Sequence, residues 1–309
     1  MSDSASDARP DTLPNWDGLV DAASLHAVLH HPDLCILDCR FDLARPELGE
    51  QAFLQAHIAG AHFAHLERDL AGPKSPQSGR HPLPEPAALA ARCAAWGIGE
   101  HTQVVVYDAS EGSYAARAWW LLRWLGHARV AVLDGGWPAW LGAGYAGGTA
   151  APSPASARFT VRPPLQALAD LARVIDLAQA SVRNGTAPRT PLLLDARAPD
   201  RYAGRNETID PVAGHIPGAV NRFWKDNLDA AGRFKPAAQL RNEFGVLLDG
   251  RTAQDCIVQC GSGVTACHNA LALHLAGLPG AALYVGSWSQ WIADPARPVA
   301  VGPAPVAPA

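Results

Sequence analysis

Four segments occur twice along this chain, in the same order each time. The first series reads CILDCR (Cys35–Arg40), AHIAGAHF (Ala56–Phe63), VVVYDASEGSYAARAWWLLRWLG (Val104–Gly126) and LDGGWPAW (Leu133–Trp140). The second reads LLLDAR (Leu192–Arg197), GHIPGAVN (Gly214–Asn221), CIVQCGSGVTACHNALALHLAG (Cys256–Gly277) and LYVGSWSQW (Leu283–Trp291). The step from the Asp-x-Arg aspartate to the His-Ile histidine is 19 residues in one series, Asp38 to His57, and 20 in the other, Asp195 to His215. Any one segment is ordinary in an α/β domain, but four kept in order at matched spacing mean that one folding unit is used twice. Between them lies GAGYAGGTAAPSPASAR (Gly142–Arg158), with the Gly, Pro, Ala and Ser content of a linker. The expected domains are 15–145 and 159–301, and residues 1–14 and the tail from Gly302 are expected to lack order because neither has apolar periodicity. A length of 309 residues suits two domains of ~100–200 residues each.

Short apolar runs such as VVVY and LLLD, each close to a turn signal, predict strands buried on both faces. Helical spacing follows in Glu85–Trp96, Ser113–Gly126 and Thr265–Gly277. Each copy therefore reads as a small α/β domain, a parallel sheet with helices on both faces. Ligands of such sheets gather beyond the carboxyl ends of the strands, which singles out the loops after Tyr107 and Gln259.

Composition excludes several other classes. With 48% hydrophobic and 17% charged residues the chain is that of a folded globular protein, and a net charge of -4 gives no footprint for nucleic acid or an anionic membrane. No apolar run reaches the ~18 residues of a membrane span, and the opening MSDSASDARPDTLP is acidic and polar, unlike a secretory leader. A cytoplasmic location is the expectation. There the six cysteines are reduced thiols and not a disulfide framework.

One of them stands apart. Cys260-Gly261-Ser262-Gly263-Val264-Thr265-Ala266 lies between a buried strand and the start of a helix. The two glycines let the backbone turn N–H groups inward, and the helix adds its N-terminal partial charge at the same point, so an anion is held there without an adjacent Lys or Arg. The first anion on hand is the Cys260 thiolate. Most free cysteines are simply small buried hydrophobes, but this context makes Cys260 the candidate nucleophile. Cys35 and Cys256 fall in strands, Cys93 and Cys267 in helices, and Cys39 ends a strand. Zinc binding by Cys35/Cys39 and Cys256/Cys260 is not expected, because the pairs belong to separate repeats and lack C-x-x-C spacing.

The CGSGVTA loop, the paired D-x-R and H-I-x-G-A segments and the terminal G-S-W-x-x-W resemble the tandem-domain rhodanese and 3-mercaptopyruvate sulfurtransferase family, from about Leu34 to Trp291. The resemblance implies two tandem rhodanese-like domains, of which the second carries the catalytic cysteine. Counting back from Gly126 and Gly277 sets Ala109 opposite Cys260, so the first copy lacks the nucleophile and forms one wall of the cleft. It implies sulfur transfer from 3-mercaptopyruvate, or alternatively thiosulfate, through a Cys260 persulfide to a thiophilic acceptor: cyanide, a thiol or a thioredoxin-like protein. No cofactor or metal is implied. The neutral Gly261 and Ser262 resemble the mercaptopyruvate branch, since thiosulfate users tend to carry basic residues after the cysteine. Gly261, Gly263, Val264 and Thr265 then cradle the substrate, Ser262 assists catalysis, and Arg201 binds the donor's anionic end or else makes a surface ion pair. Where mercaptopyruvate enzymes often carry a second Arg, this chain has Asp210, and Arg205 is the nearest substitute. His57 matches a histidine proposed to act with the loop serine, although the equivalent place of His215 suits a loop tie better. A cysteine phosphatase needs an Arg six residues after its Cys, where this chain has Ala266. A non-catalytic sulfur carrier is the remaining alternative.

Overall fold

The computed structural model describes residues 13–150, 152, 157–184 and 191–303. The rest of the two expected disordered ends, 1–12 and 304–309, lies outside the described residues. In the first copy the elements run β1 (Leu19–Val20), α1 (Ala22–Ala27), β2 (Leu34–Asp38), α2 (Glu47–Gln55), β3 (His62–Phe63), α3 (Pro86–Ala95), β4 (Gln103–Tyr107), α4 (Ala115–Trp124), β5 (Val130–Leu133) and α5 (Gly136–Gly142). The second copy repeats this succession as β6 (Ala167–Leu168), α6 (Leu171–Asn184), β7 (Leu192–Asp195), α7 (Pro199–Tyr202), β8 (Ala219–Asn221), α8 (Ala237–Leu248), β9 (Cys256–Gln259), α9 (Ala266–Leu275), β10 (Ala282–Leu283) and α10 (Ser287–Trp291). Short 3-10 turns at Trp224–Asn227 and Ala253–Asp255 are added. The sheets have the same topology, β1-β5-β4-β2-β3 and β6-β10-β9-β7-β8, and their strand pairs are parallel.

Alternation along the strands explains why apolar runs, and not polar–apolar patterns, mark them. In β4, Val104 and Val106 feed one buried cluster while Val105 and Tyr107 feed another with Leu25 of α1 and Trp140 of α5. Leu192 and Leu194 of β7 likewise face one way and Leu193 the other, toward Val174 and Leu177 of α6. Helices cover both faces of each sheet, as the sequence predicts.

The inner clusters of the two copies are one. A single core runs from Leu37, Val106 and Leu121 into Leu194, Val258 and Leu271. Its middle is the contact of α4 with α9. Both helices are buried nearly all round, Ala115–Arg123 in one and Ala266–Leu273 in the other, because each packs on its own sheet and on its counterpart.

The repeated motifs make the same bonds in both copies. Arg40 grips the Asp38 carboxylate through Nε (2.9 Å) and Nη2 (2.6 Å) and reaches Ala56 O at 2.7 Å; Arg197 grips Asp195 and reaches Gly214 O at 2.8 Å. Each guanidinium also lies over an indole, Trp137 or Trp288. His57 stacks on Phe53 and bonds its carbonyl; His215 does so with Tyr202. These pairs fix the entry to each strand-end loop. The end of the linker and the residues just after it are fastened to the first copy, with Ala157 N–H donating to Ala94 O and Arg162 N–H to Leu125 O.

Candidate active site

The Cys260 loop sits at the carboxyl end of β9, where the topology predicts ligands to bind. Cys260 is 1% exposed and forms the floor of a cleft between the copies. The loop carbonyls are drawn away from the thiol. Cys260 O accepts from Trp288 N–H at 3.0 Å, Gly261 O from Ser289 N–H at 2.9 Å, and Gly263 O from Arg117 Nη1 at 3.1 Å. With the carbonyls so engaged, Gly263 N–H donates to Cys260 Sγ at 3.1 Å. Gly263 has φ +78, and a Cβ there would meet Val285 O at 2.4 Å, so the glycine is needed both for conformation and for fit. The Cys260 amide donates to Ser287 Oγ at 3.1 Å, which fixes the end of the strand.

Above the loop stand residues of both copies. Ser262 Oγ lies 2.8 Å from His81 Nδ1, and His81 Nε2 is 3.8 Å from Glu67 Oε1. The Glu67 carboxylate favours a proton on Nε2, leaving Nδ1 to accept from the Ser262 hydroxyl. Burial, reinforced by the nearby Arg117 and Arg80 charges, depresses the His81 pKa to about 3, so the imidazole is neutral at physiological pH. Arg201 Nη2 donates to Asp210 Oδ2 at 3.0 Å and its Nε to Glu207 Oε1 at 3.1 Å. Arg80 pairs with the other Asp210 oxygen. A Cβ at Gly261 would lie 3.0 Å from Arg80 Nη2 and 3.7 Å from Arg201 Nη2, so both guanidinium groups cover this glycine.

The structure brings Cys260, Gly261, Ser262, Val264, Thr265 and Arg201 to one cleft, with Gly263 behind them. It does not bring His57 or Arg205 there. The serine's partner is His81, whereas both ring nitrogens of His57 bond main-chain carbonyls, Phe53 O and Ala150 O, far along another loop. Arg205 is exposed, and the place beside Arg201 belongs to Arg80. The neutral loop is therefore not without fixed charge: Arg80 arrives from the first copy. Arg80, His81 and Glu67 escape a reading of the sequence because GRHPLP has no local pattern and meets Cys260 only through the packing of the copies. The environment of the other cysteines disfavours their thiolates. Burial pushes Cys93, Cys256 and Cys267 up to about 12 and Cys35 and Cys39 upward as well.

The equivalent loop of the first copy is filled. Asp108, at the position before Ala109, accepts from the amides of Ser110, Gly112, Tyr114 and Ala115 at 2.8–2.9 Å. The Asp108 carboxyl group, whose pKa burial raises against the lowering effect of these four bonds, occupies the N–H groups that a thiolate would need.

The rhodanese-like domain family matches residues 21–143 and 177–294. Over 287 residues the chain is 50% identical to the "Probable 3-mercaptopyruvate sulfurtransferase" of Pseudomonas aeruginosa, spanning 92% of this chain and 98% of that protein. It is 35% identical to the thiosulfate sulfurtransferase of Bos taurus, over 87% of this chain and 89% of the relative. Among solved structures, the 3-mercaptopyruvate sulfurtransferase SseA of Escherichia coli superposes with a TM-score of 0.73 at 30% identity, covering 89% of this chain and all of that one. A fold of twin parallel sheets with a cysteine loop at one strand end defines the class, and this chain belongs to the rhodanese-like family, with two copies of its domain. It is a sulfurtransferase, as its relatives are.

Because Asp108 holds the inward amides, a cysteine placed at position 109 should gain no activation. In an Ala109→Cys, Cys260→Ser protein, alkylation by iodoacetamide at pH 7 should be at least about tenfold slower than that of wild-type Cys260. Equal rates would mean that the carboxylate does not block the first loop.

Proposed function

We propose that this sulfurtransferase takes the sulfur of 3-mercaptopyruvate onto Cys260 as a persulfide and passes it to a thiophilic acceptor. The observation that carries this reading is the Gly263 N–H donated to a thiol at the floor of a cleft whose mouth holds two guanidinium groups. The Cys260 thiolate attacks the donor sulfur; an S–S bond forms, the donor C–S bond breaks, and its electron pair leaves as the pyruvate enolate. That carbon takes up a proton from the Ser262 hydroxyl, which turns from His81 to deliver it, and the donor's own thiol proton passes to Ser262 so that the step balances. The acceptor then attacks the terminal sulfur, and Cys260 leaves as thiolate. Loop amides hold the negative charge on sulfur in both halves of the cycle. Cyanide serves as acceptor in the test tube, and a small thiol or thioredoxin-like protein in a cytoplasmic setting. Among the described residues, no helix is long and apolar enough to cross a membrane.

The same proposal includes the division into 15–145, catalytically inactive, and 159–301, carrying the cysteine. Arg201 and Arg80 hold the donor carboxylate, with Gly261, Val264 and Thr265 lining its path. Thiosulfate is the second reading, favoured by the same two guanidinium groups. Two carboxylates, Asp210 and Glu207, face those cations, so the mouth carries little net charge and suits a monocarboxylate better than a compact dianion.

Two measurements test this. Cys260→Ser should lose sulfur transfer from either donor, because an alkoxide forms no persulfide, while Cys35→Ser and Cys93→Ser keep most of it. Substantial turnover by purified Cys260→Ser protein would remove the cysteine from the mechanism. Asp210→Asn should free one positive charge beside Gly261 and raise the thiosulfate-to-mercaptopyruvate ratio of kcat/KM by about tenfold or more. A ratio that does not move, or that falls, places donor choice elsewhere.

A further inference from the structure

Arg117 is fully buried, yet among the described residues no carboxylate pairs with it. It projects from α4 of the copy that lacks a catalytic cysteine. Its Nη1 donates to Gly263 O at 3.1 Å, and its Nη2 to His81 O at 3.2 Å and Pro82 O at 3.3 Å. With Nε donating to Leu70 O at 3.4 Å as well, four carbonyls accept from the guanidinium, but they leave its positive charge unpaired in the core, an arrangement that is costly unless an anion comes near.

The pseudo-symmetry of the molecule shows what the charge is for. Counting back from Gly126 and Gly277, the counterpart of Arg117 on α9 is His268. It too is fully buried and crosses to the other copy's loop, its Nε2 lying 3.2 Å from Glu111 O. Burial lowers the His268 pKa to about 3, so it is neutral. The loop that already contains the Asp108 carboxylate thus receives a neutral ring. The loop that contains Cys260 receives a guanidinium, whose pKa burial lowers while the thiols of Cys267 and Cys260 act to raise it.

We propose that Arg117 is the counter-charge of the Cys260 thiolate and persulfide, and the brace that sets His81 and Gly263 around that sulfur. It is a positioning residue contributed by the inactive copy, and it makes that copy part of the active site's electrostatics. The other charged groups around Cys260 are already matched. Arg80 and Arg201 face Asp210 and Glu207, Arg197 faces Asp195, His81 is neutral and Cys267 stays protonated.

The inference rests on Cys260 as the sulfur carrier, and its test separates the two. The pH dependence of iodoacetamide alkylation of Cys260 reads the thiol pKa, and the mass of donor-treated wild type reads the persulfide. Arg117→Met should shift the alkylation profile upward by about one unit or more, slowing the reaction at pH 7 about tenfold. Arg117→Lys should leave the profile near that of wild type while lowering kcat, because an ammonium keeps the charge but cannot span Gly263, His81 and Pro82. If Arg117→Met does not fold, Arg117→Gln gives the neutral comparison. An unshifted profile in a folded neutral variant overturns the proposal, as does a lysine variant shifted as far as the neutral one. A wild type without a persulfide overturns the sulfur-carrier reading itself.

Discussion

Everything at the cleft depends on the packing of α4 against α9. Each helix begins just after a strand-end loop, so joining them sets the two loops side by side and turns each toward residues of the other copy. The buried surfaces of Ala115–Arg123 and Ala266–Leu273 belong to one core. Neither helix has a solvent face to spare, and each copy completes its partner's interior. The functional consequence is that a cysteine loop in one copy is walled by Arg80, His81, Ser113 and Tyr114 of the other.

Duplication followed by divergence left the two loops with the same backbone task and different anions. Both turn amides inward at a strand end. In the first copy the side chain of Asp108 takes four of them. In the second the aligned residue is Gln259, and the inward Gly263 amide meets the Cys260 sulfur. A fixed carboxylate gives a rigid wall; a polarisable sulfur that changes charge and bonding gives a carrier. The D-x-R and His-Ile ties have nearly the same geometry on either side, although Arg197 of the second copy also lines the cleft.

The repeat, the central strands and helices α3, α4 and α9 were legible because each is written in contiguous residues, whereas α6 and α8 lie outside the repeated segments. VVVY and LLLD are most of β4 and all of β7, and Glu85–Trp96 closely brackets α3. The cysteine loop was legible for the same reason, since two glycines and a helix start lie within seven residues. What could not be read was the other half of the cleft. His81 reaches Ser262, and Arg117 reaches Gly263, across separations of 181 and 146 residues. A lone histidine or arginine carries no local sign of such a meeting. His57 matched the family's histidine by resemblance, but its repetition as His215 already argued for a structural tie, and its ring nitrogens bond main-chain carbonyls. Asp210 read as a missing cation, whereas in space it is the carboxylate that joins Arg80 to Arg201.

The central claim is that one sulfur at a time rides on Cys260 of the second copy. Intact-mass measurement of wild-type protein, treated with 3-mercaptopyruvate and no acceptor, tests it most directly. The account predicts a gain of one sulfur atom per chain, mapped by digestion to the Cys260 peptide and removed by cyanide with release of thiocyanate. An unchanged mass, or sulfur carried on Cys35, Cys39, Cys93, Cys256 or Cys267, would contradict it.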